Sequence, residues 1–576
     1  MRSPGLPAAH RDRARRALAA LLLLVSGTYF YLSVWRAPVA ITHGRGAAPW
    51  TDGAEYLGGA ASLAREGRYH IHLAGEELPS RYPPGYSLLL AAGLLAGVEV
   101  PAAPTAVGRL AGLVLLCLIG GVLWWRGRPL AAALAVSLLS TTPAFVILCR
   151  APLSEIASTV LLFAGVACLY ASSGGGSMDG GGPEAEKADL IRFHGLAALG
   201  ACLLGTSVFF RTAHLFFYAF LPAVVWMRSG SPLAAGAAGL GRWFRRTLEA
   251  SLPLVLGALA GLSPLWAYNL YTFGRPWASG YGYWVPFWDT SRALGLEYVP
   301  ENLSYYWRDL MSLEVPFTSA DLYGTGTYYG PALALLISTA PFAASRARRV
   351  VPFALAGVAY VAVMLAYFLS DGRFLFPAVA LAIPAAAVGL CSLGSRRRTW
   401  VSSLGVAAGG LLWLLAVVGW PGLRGISTTW ALVAEPRGIA LQPAYRVLEQ
   451  ARRLPLAAGS VVLTDMPPPY VHAWMPATTL VAPLRDDHSF RFNPSRFRFA
   501  DAERRALLGR ATAEGRPVWV VAQNTDIWRL ELLSPAPDGF AWEVVALDGH
   551  IGGLARLVAR DPRLPPTASG GAHEGI

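Results

Sequence analysis

Lysine is all but absent from this 576-residue chain: of its 48 basic side chains only Lys187 is a lysine, the rest being arginine. Charge of either sign is scarce as well, at 14% of residues, where an ordinary soluble chain carries about a quarter. The five cysteines, Cys117, Cys149, Cys168, Cys202 and Cys391, all lie in apolar runs and form no CxxC pair. That excludes a zinc ribbon and an external disulfide framework, and leaves them as small buried hydrophobes. No internal repeat is present, which argues against the doubled architecture of many transporters. The arginine bias, with abundant Ala, Gly and Pro, fits a GC-rich and hence bacterial source.

What the chain does have is apolar sequence: 54% of its residues are hydrophobic and the mean hydropathy is +0.43. Runs of about 20 apolar residues recur, each long enough to cross the hydrocarbon core. The net charge of +13 would suit a nucleic-acid binder. Its arginines, however, cluster in short loops between apolar runs, where the positive-inside rule accounts for them.

The expected fold is therefore a polytopic α-helical membrane protein. Basic "RDRARR" followed by an apolar stretch reads as an uncleaved first span entering from the cytoplasm. Eleven spans are expected, near 17–36, 106–125, 129–148, 154–171, 194–210, 212–228, 248–270, 330–345, 350–369, 373–393 and 400–420. This count places the arginine clusters at 11–16, 126–128, 228–246, 346–349 and 396–398 in the cytoplasm, provided that 84–98 lies in the interface without crossing. The segment "SSGGGSMDGGGPEAEKAD" reads as a flexible linker.

Beyond about residue 430 the pattern changes. "SVVLTDMPPP", "TTLVAPL", "RPVWVVAQN" and "WEVVAL" read as short buried strands between helical stretches. The expected organisation is a membrane domain over 1–425, a small extracytoplasmic α/β domain over 426–565 and a disordered tail over 566–576.

With this topology the unusual polar residues gather on the outer face. Asp52, Glu55, His70, His72 and Arg81 lie in the first loop; Ser154 and Glu155, Arg211, Asn269, and Asp371 with Arg373 mark later outer helix ends. Charges at membrane depth are costly and usually face a cavity. Any one of these arginines could instead snorkel to the headgroups, but their recurrence on one side favours a site.

Five motifs appear in order: "DGAEY…LAREGRY…RYPPGYSLLL", "SE" at 154–155, "FFRTAHL", "YNLYTFGRPW" and "DGRFLFP". Together they resemble the GT-C membrane glycosyltransferases, in the branch of protein O-mannosyltransferases and lipid A aminoarabinose transferases, over about residues 15–420. The resemblance implies juxtamembrane helices in the first outer loop and an external C-terminal domain. It also implies an inverting transfer of a sugar from a polyprenyl-phosphate donor to a hydroxyl of a lipid, polysaccharide or protein. Asp52 would be the catalytic acid-derived base, with Glu55 or Glu155 as a second acid, because many relatives carry two adjacent acids where this chain has Asp52–Gly53.

Guanidinium groups suit the lipid phosphate because they are planar and always charged. Arg81, Arg211 and Arg373 are the candidates. Tyr56, Tyr82, His70, Asn269 and Asp371 are expected to contact substrate. His70 and His72 alternate as on a strand, but two histidines are not a metal site. No cofactor is firmly implied, and a divalent cation is left open. The expected partners are the lipid-linked donor, a hydroxyl acceptor and membrane lipids, without nucleic acid, in a bacterial cell membrane. The rival readings are a transporter or flippase of lipid-linked sugars and an O-antigen-ligase-like enzyme.

Overall fold

The computed structural model describes residues 8–36, 51–173, 183–229, 232–285, 293–310, 329, 351–393, 443–485, 496–523, 525, 527, 530–548 and 552–560. Its helices in chain order are α1 (Ala8–Phe30, continued by a π turn to Trp35), α2 (Thr51–Glu66), α3 (Gly85–Leu95), α4 (Ala103–Trp125), α5 (Pro129–Ser140), α6 (Pro143–Leu148), α7 (Glu155–Ser172) and α8 (Pro183–Phe210). They continue with α9 (Phe220–Ser229), α10 (Pro232–Phe273), α11 (Gly280–Trp284), α12 (Val299–Leu310), α13 (Val351–Leu365) and α14 (Phe376–Leu393). A hairpin, β1 (Ile71–Leu73) and β2 (Glu76–Leu78), follows α2.

Among the described residues, six helices are long and apolar enough to cross a membrane: Arg15–Trp35, Ala103–Trp125, Glu155–Ser172, Lys187–Phe210, Gly239–Phe273 and Gly372–Cys391. Together with α5, α6 and the turn at 212–219 they bury Phe30, Leu115, Ile119, Leu139, Phe145, Leu162, Phe217 and Phe376 in one core, while Leu21, Leu24, Val255 and Leu256 stay on the outside. An apolar exterior around an apolar interior is what lipid as solvent requires. Helices α8 and α10 touch through glycine. A Cβ on Gly257 would sit 2.1 Å from the Ala198 carbonyl oxygen, and one on Gly261 2.1 Å from that of Cys202. The spacing Gly257-x-x-x-Gly261 thus lets the two backbones meet.

Four expectations change. The run 129–148 is two helices, because Pro143 has no N–H to give and holds Thr142 extended at ψ 121°. The run 212–228 is a 3-10 turn over Thr212–Ala219 followed by α9. The acidic half of the expected linker, from Pro183, is already the start of α8. Helix α10 has 42 residues, about 63 Å, so it also takes in the basic "RWFRR" stretch. The segment around 84–98 forms the 11-residue α3, about 16 Å long and roughly half of a hydrocarbon core. The expected spans 330–345 and 400–420 lie outside the described residues.

The C-terminal part contains α15 (Pro443–Ala451), β3 (Val461–Thr464), α16 (Pro468–Trp474), β4 (Leu480–Pro483), α17 (Asp501–Ala513), β5 (Val518–Ala522), α18 (Leu530–Leu533), β6 (Phe540–Asp548) and β7 (Gly552–Ala559). The sheet order is β4-β3-β5-β7-β6, parallel across β4, β3 and β5 and antiparallel across β5, β7 and β6. Period-two alternation sends Val461, Leu463, Val518 and Val520 towards Leu507 and Leu508 of α17. Val462, Trp519 and Val521 face the other way, where they share a core with Tyr56, Leu57 and Tyr86 of α2 and α3. Gly58 permits this contact, since a Cβ there would lie 2.7 Å from Pro469. The sheet is therefore packed onto the first loop, and that loop is a structured platform between bundle and sheet.

Candidate active site

Helix α7 begins, α8 ends and α14 begins at one end of the bundle, and α2 lies across that end. Their termini bring together charges that are far apart in sequence. Asp52 sits in the first turn of α2. Its Oδ2 is 2.8 Å from Arg373 Nη2, and its Oδ1 accepts a short hydrogen bond from the Tyr82 hydroxyl. Arg373 Nε lies 2.7 Å from Asp371 Oδ2 and 3.6 Å from Glu155 Oε1. Glu155 Oε1 also accepts from Arg211 Nη1 at 2.6 Å. Three carboxylates thus share two guanidinium groups, all but one of them nearly buried, with Asp52 the most open at 17% exposed.

The backbone at 371–374 is held from several sides. The Asp371 carboxylate caps its own turn by accepting from Arg373 N–H at 3.1 Å. The Tyr329 hydroxyl donates to the Gly372 carbonyl at 2.6 Å, and the Tyr360 hydroxyl to that of Phe374 at 2.8 Å. Phe374 lies beneath both guanidinium groups, 5.2 Å from Arg211 Cζ and 5.4 Å from Arg373 Cζ. Arg373 Nη1 and Arg211 Nε, both buried, have no hydrogen-bond partner among the described residues. A buried cationic donor without a partner is costly, and an anion placed there would satisfy it.

Burial would raise the Asp52 carboxyl, but the Arg373 charge, the Tyr82 hydroxyl and more distant arginines hold it down at about 2. Burial also pushes the Asp371 carboxyl up, against the pull of Arg373. One arginine thus faces two acids of opposite tendency.

The other expected residues fall into place unequally. Glu55 and Arg81 form their own closed pair. Glu55 Oε1 accepts from Arg81 Nε at 2.9 Å and Nη2 at 2.6 Å, while Oε2 accepts from the Arg81 N–H at 2.7 Å and the Ser80 hydroxyl at 3.1 Å. The donors that Arg81 would turn to a phosphate are thus on Glu55, and Glu55 is spoken for as a second acid. Gly53 has no room for an acid either, since a Cβ there would lie 2.7 Å from Pro152. Glu155 is the carboxylate that reaches the cluster in its place.

Tyr56 bonds the Ser154 hydroxyl at 3.0 Å and packs against Tyr82 at 4.9 Å, so it supports the site from beneath. Asn269 does not join: its amide donates to the Pro276 carbonyl at 3.0 Å and ties off the turn after α10. His70 lies past the C-terminal end of α2, about 21 Å along the helix from Asp52, and so outside this cluster. Tyr281, in the aromatic stretch "YGYWVPFWDTSR" that reads either as a sugar- or lipid-contacting surface or as an interfacial belt, has its ring edge-on to Tyr82 at 5.6 Å. Tyr360 was not singled out in the sequence, because a lone tyrosine in an apolar run carries no signal.

No protein-family model matches the sequence, and no curated protein matches it. Among solved structures, ArnT from Cupriavidus metallidurans in the apo state is similar over 94% of this chain and 98% of its own, with a TM-score of 0.56 and 14% identity. ArnT from the same organism bound to undecaprenyl phosphate is similar over the same shares, with a TM-score of 0.53 and 13% identity. The chain thus has the fold of a GT-C membrane glycosyltransferase and is a polytopic helical membrane protein.

Proposed function

We propose that this protein is an inverting glycosyltransferase that moves a sugar from a polyprenyl-phosphate donor to a hydroxyl of a lipid, polysaccharide or protein acceptor. It would work on the extracytoplasmic face of a bacterial cell membrane, with the C-terminal sheet on that side. The observation that carries the reading is the unpartnered donor of Arg373 beside the partly open Asp52. Supporting it are the shared fold and the undecaprenyl phosphate bound by ArnT.

The leaving group is a lipid phosphate, already a stable anion, so its departure needs cations more than a general acid. Arg373 Nη1 and Arg211 Nε would take its oxygens. Arg81 would instead keep Tyr82 and the start of α3 in place through Glu55. The weak point of a base near pKa 2 is that it holds protons poorly. Donor binding supplies the remedy: as the phosphate draws on Arg373, the carboxylate of Asp52 loses charge compensation and becomes more basic. Asp52 then takes the acceptor O–H proton while the oxygen attacks the anomeric carbon. The bond from that carbon to the phosphate oxygen breaks, and polyprenyl phosphate leaves with the electron pair. One displacement, with no covalent glycosyl-enzyme step, inverts the anomeric centre. Asp371 and Tyr82 would orient Arg373 and Asp52 around the sugar.

The test is Asp52→Asn, which keeps size and most hydrogen bonding but accepts no proton. Transfer from a polyprenyl-phosphate sugar should fall about 10²–10⁴-fold while the protein still inserts and folds. Transfer within a few fold of wild type would end the reading.

A further inference from the structure

At the far end of α2 a second polar cluster stands apart from the one just described. His70 Nε2 lies 3.0 Å from Glu66 Oε2, His72 Nε2 lies 3.0 Å from Glu66 Oε1, and the two Nε2 atoms are 3.0 Å from each other. Each neutral imidazole Nε2 offers either one N–H or one lone pair. If both donate to Glu66, two N–H groups face each other. If one accepts from the other, its lone pair faces a carboxylate oxygen. No pair of neutral tautomers satisfies all three contacts, whereas a cation above the triangle would satisfy them together.

We propose that Glu66, His70 and His72 form a three-ligand site for a divalent cation of the zinc type. Two imidazoles and one carboxylate are a borderline ligand set that suits zinc, whereas magnesium and calcium favour six or more oxygens. Tetrahedral bonds of about 2.0–2.1 Å put neighbouring ligand atoms roughly 3.3 Å apart, within a few tenths of the observed triangle. The local sequence builds this set. Glu66 ends α2, Gly67 turns the chain at φ +71°, and His70, just before β1, and His72, within it, come back onto one face. The His72 side chain is 17% exposed and that of Glu66 21%, so an ion can enter and a water can take the fourth position. Exposed Glu77, 4.0 Å from His70 Nε2, is a second candidate for that position, although Arg68 also pairs with it.

The distance from Asp52 makes the role structural. The His72 ring packs on His472 of α16 at 4.2 Å, and the hairpin tip donates from Ala74 N–H to the Val481 carbonyl of β4 at 2.8 Å. A bound ion would therefore fasten the first loop to the sheet. The proposal does not depend on glycosyl transfer, and its readout is metal content.

Full-length protein in detergent, stripped with chelator and dialysed against zinc, should take up close to equimolar zinc and gain thermal stability. Cobalt in place of zinc should show the intense ligand-field absorption of four-coordinate cobalt. Glu66→Gln and His72→Ala should each weaken zinc binding at least about tenfold. Should either variant fail to fold, the wild-type titrations decide alone. Wild type that takes up no stoichiometric zinc, or cobalt that stays six-coordinate, overturns the proposal, as does Glu66→Gln that binds zinc like wild type.

Discussion

Arg81 and Arg373 are both buried, both lie near Asp52 in space, and either would pass for a phosphate ligand in a sequence. Their surroundings differ. Arg81 has its Nε, Nη2 and backbone N–H on one carboxylate, Glu55, which is itself 0% exposed. Arg373 is spread over three carboxylates and, among the described residues, retains a donor with no hydrogen-bond partner. On the proposed reading the first arrangement holds structure and the second exchanges one anion for another. Burial alone does not separate the two arginines; the pattern of their partners does.

The difference should be largest in stability. Arg81→Ala leaves Glu55 buried and unpaired, and loss of one partner of such a pair costs about 3–5 kcal/mol. Its melting temperature should fall steeply, with poor recovery after purification, whereas the double variant Glu55→Gln/Arg81→Gln should regain most of that loss. A smaller effect is expected at Gly53. Gly53→Asp, which would restore two adjacent acids, pushes a side chain into Pro152 and should cost roughly 1–3 kcal/mol by thermal unfolding. Transfer should not improve.

The smallest effect is on pH dependence. The folded Asp52 carboxyl is held at about 2, below its ordinary 3.8, so it binds fewer protons folded than unfolded. Its contribution, about 2 kcal/mol at most, is present above pH 3.8 and lost as pH falls through 2. Melting curves of wild type and Asp52→Asn should therefore converge over that window and stay apart above it.

How much of this could be read beforehand varies with the physics involved. Apolar run length picked out the six long apolar helices among the described residues, because lipid imposes that length. It failed at 129–148, where Thr141-Thr142-Pro143 carried the break that hydropathy ignores. The gathering of Asp52, Glu155, Arg211 and Arg373 followed from placing helix ends on one side. Which acid pairs with which arginine did not, since Glu55 and Arg81 meet only because the chain folds back across α2 and the hairpin. The strands of the sheet were visible except β7, whose small and charged residues in "GGLARLVA" dilute the pattern. The histidines were visible on a strand, but their third partner, Glu66, sits at the end of the preceding helix. The spacing Glu-x3-His-x-His held that signal.

The most direct test is equilibrium binding of polyprenyl phosphate, without sugar, to purified protein. Arg373→Ala should weaken it about tenfold to a hundredfold, as expected for lost charge-assisted hydrogen bonds, and Arg373→Lys should recover only part. The folded Glu55→Gln/Arg81→Gln variant should bind as wild type does. Unchanged affinity in Arg373→Ala, or an equal loss in the Glu55/Arg81 double variant, would contradict the assignment of the open arginine to the lipid phosphate.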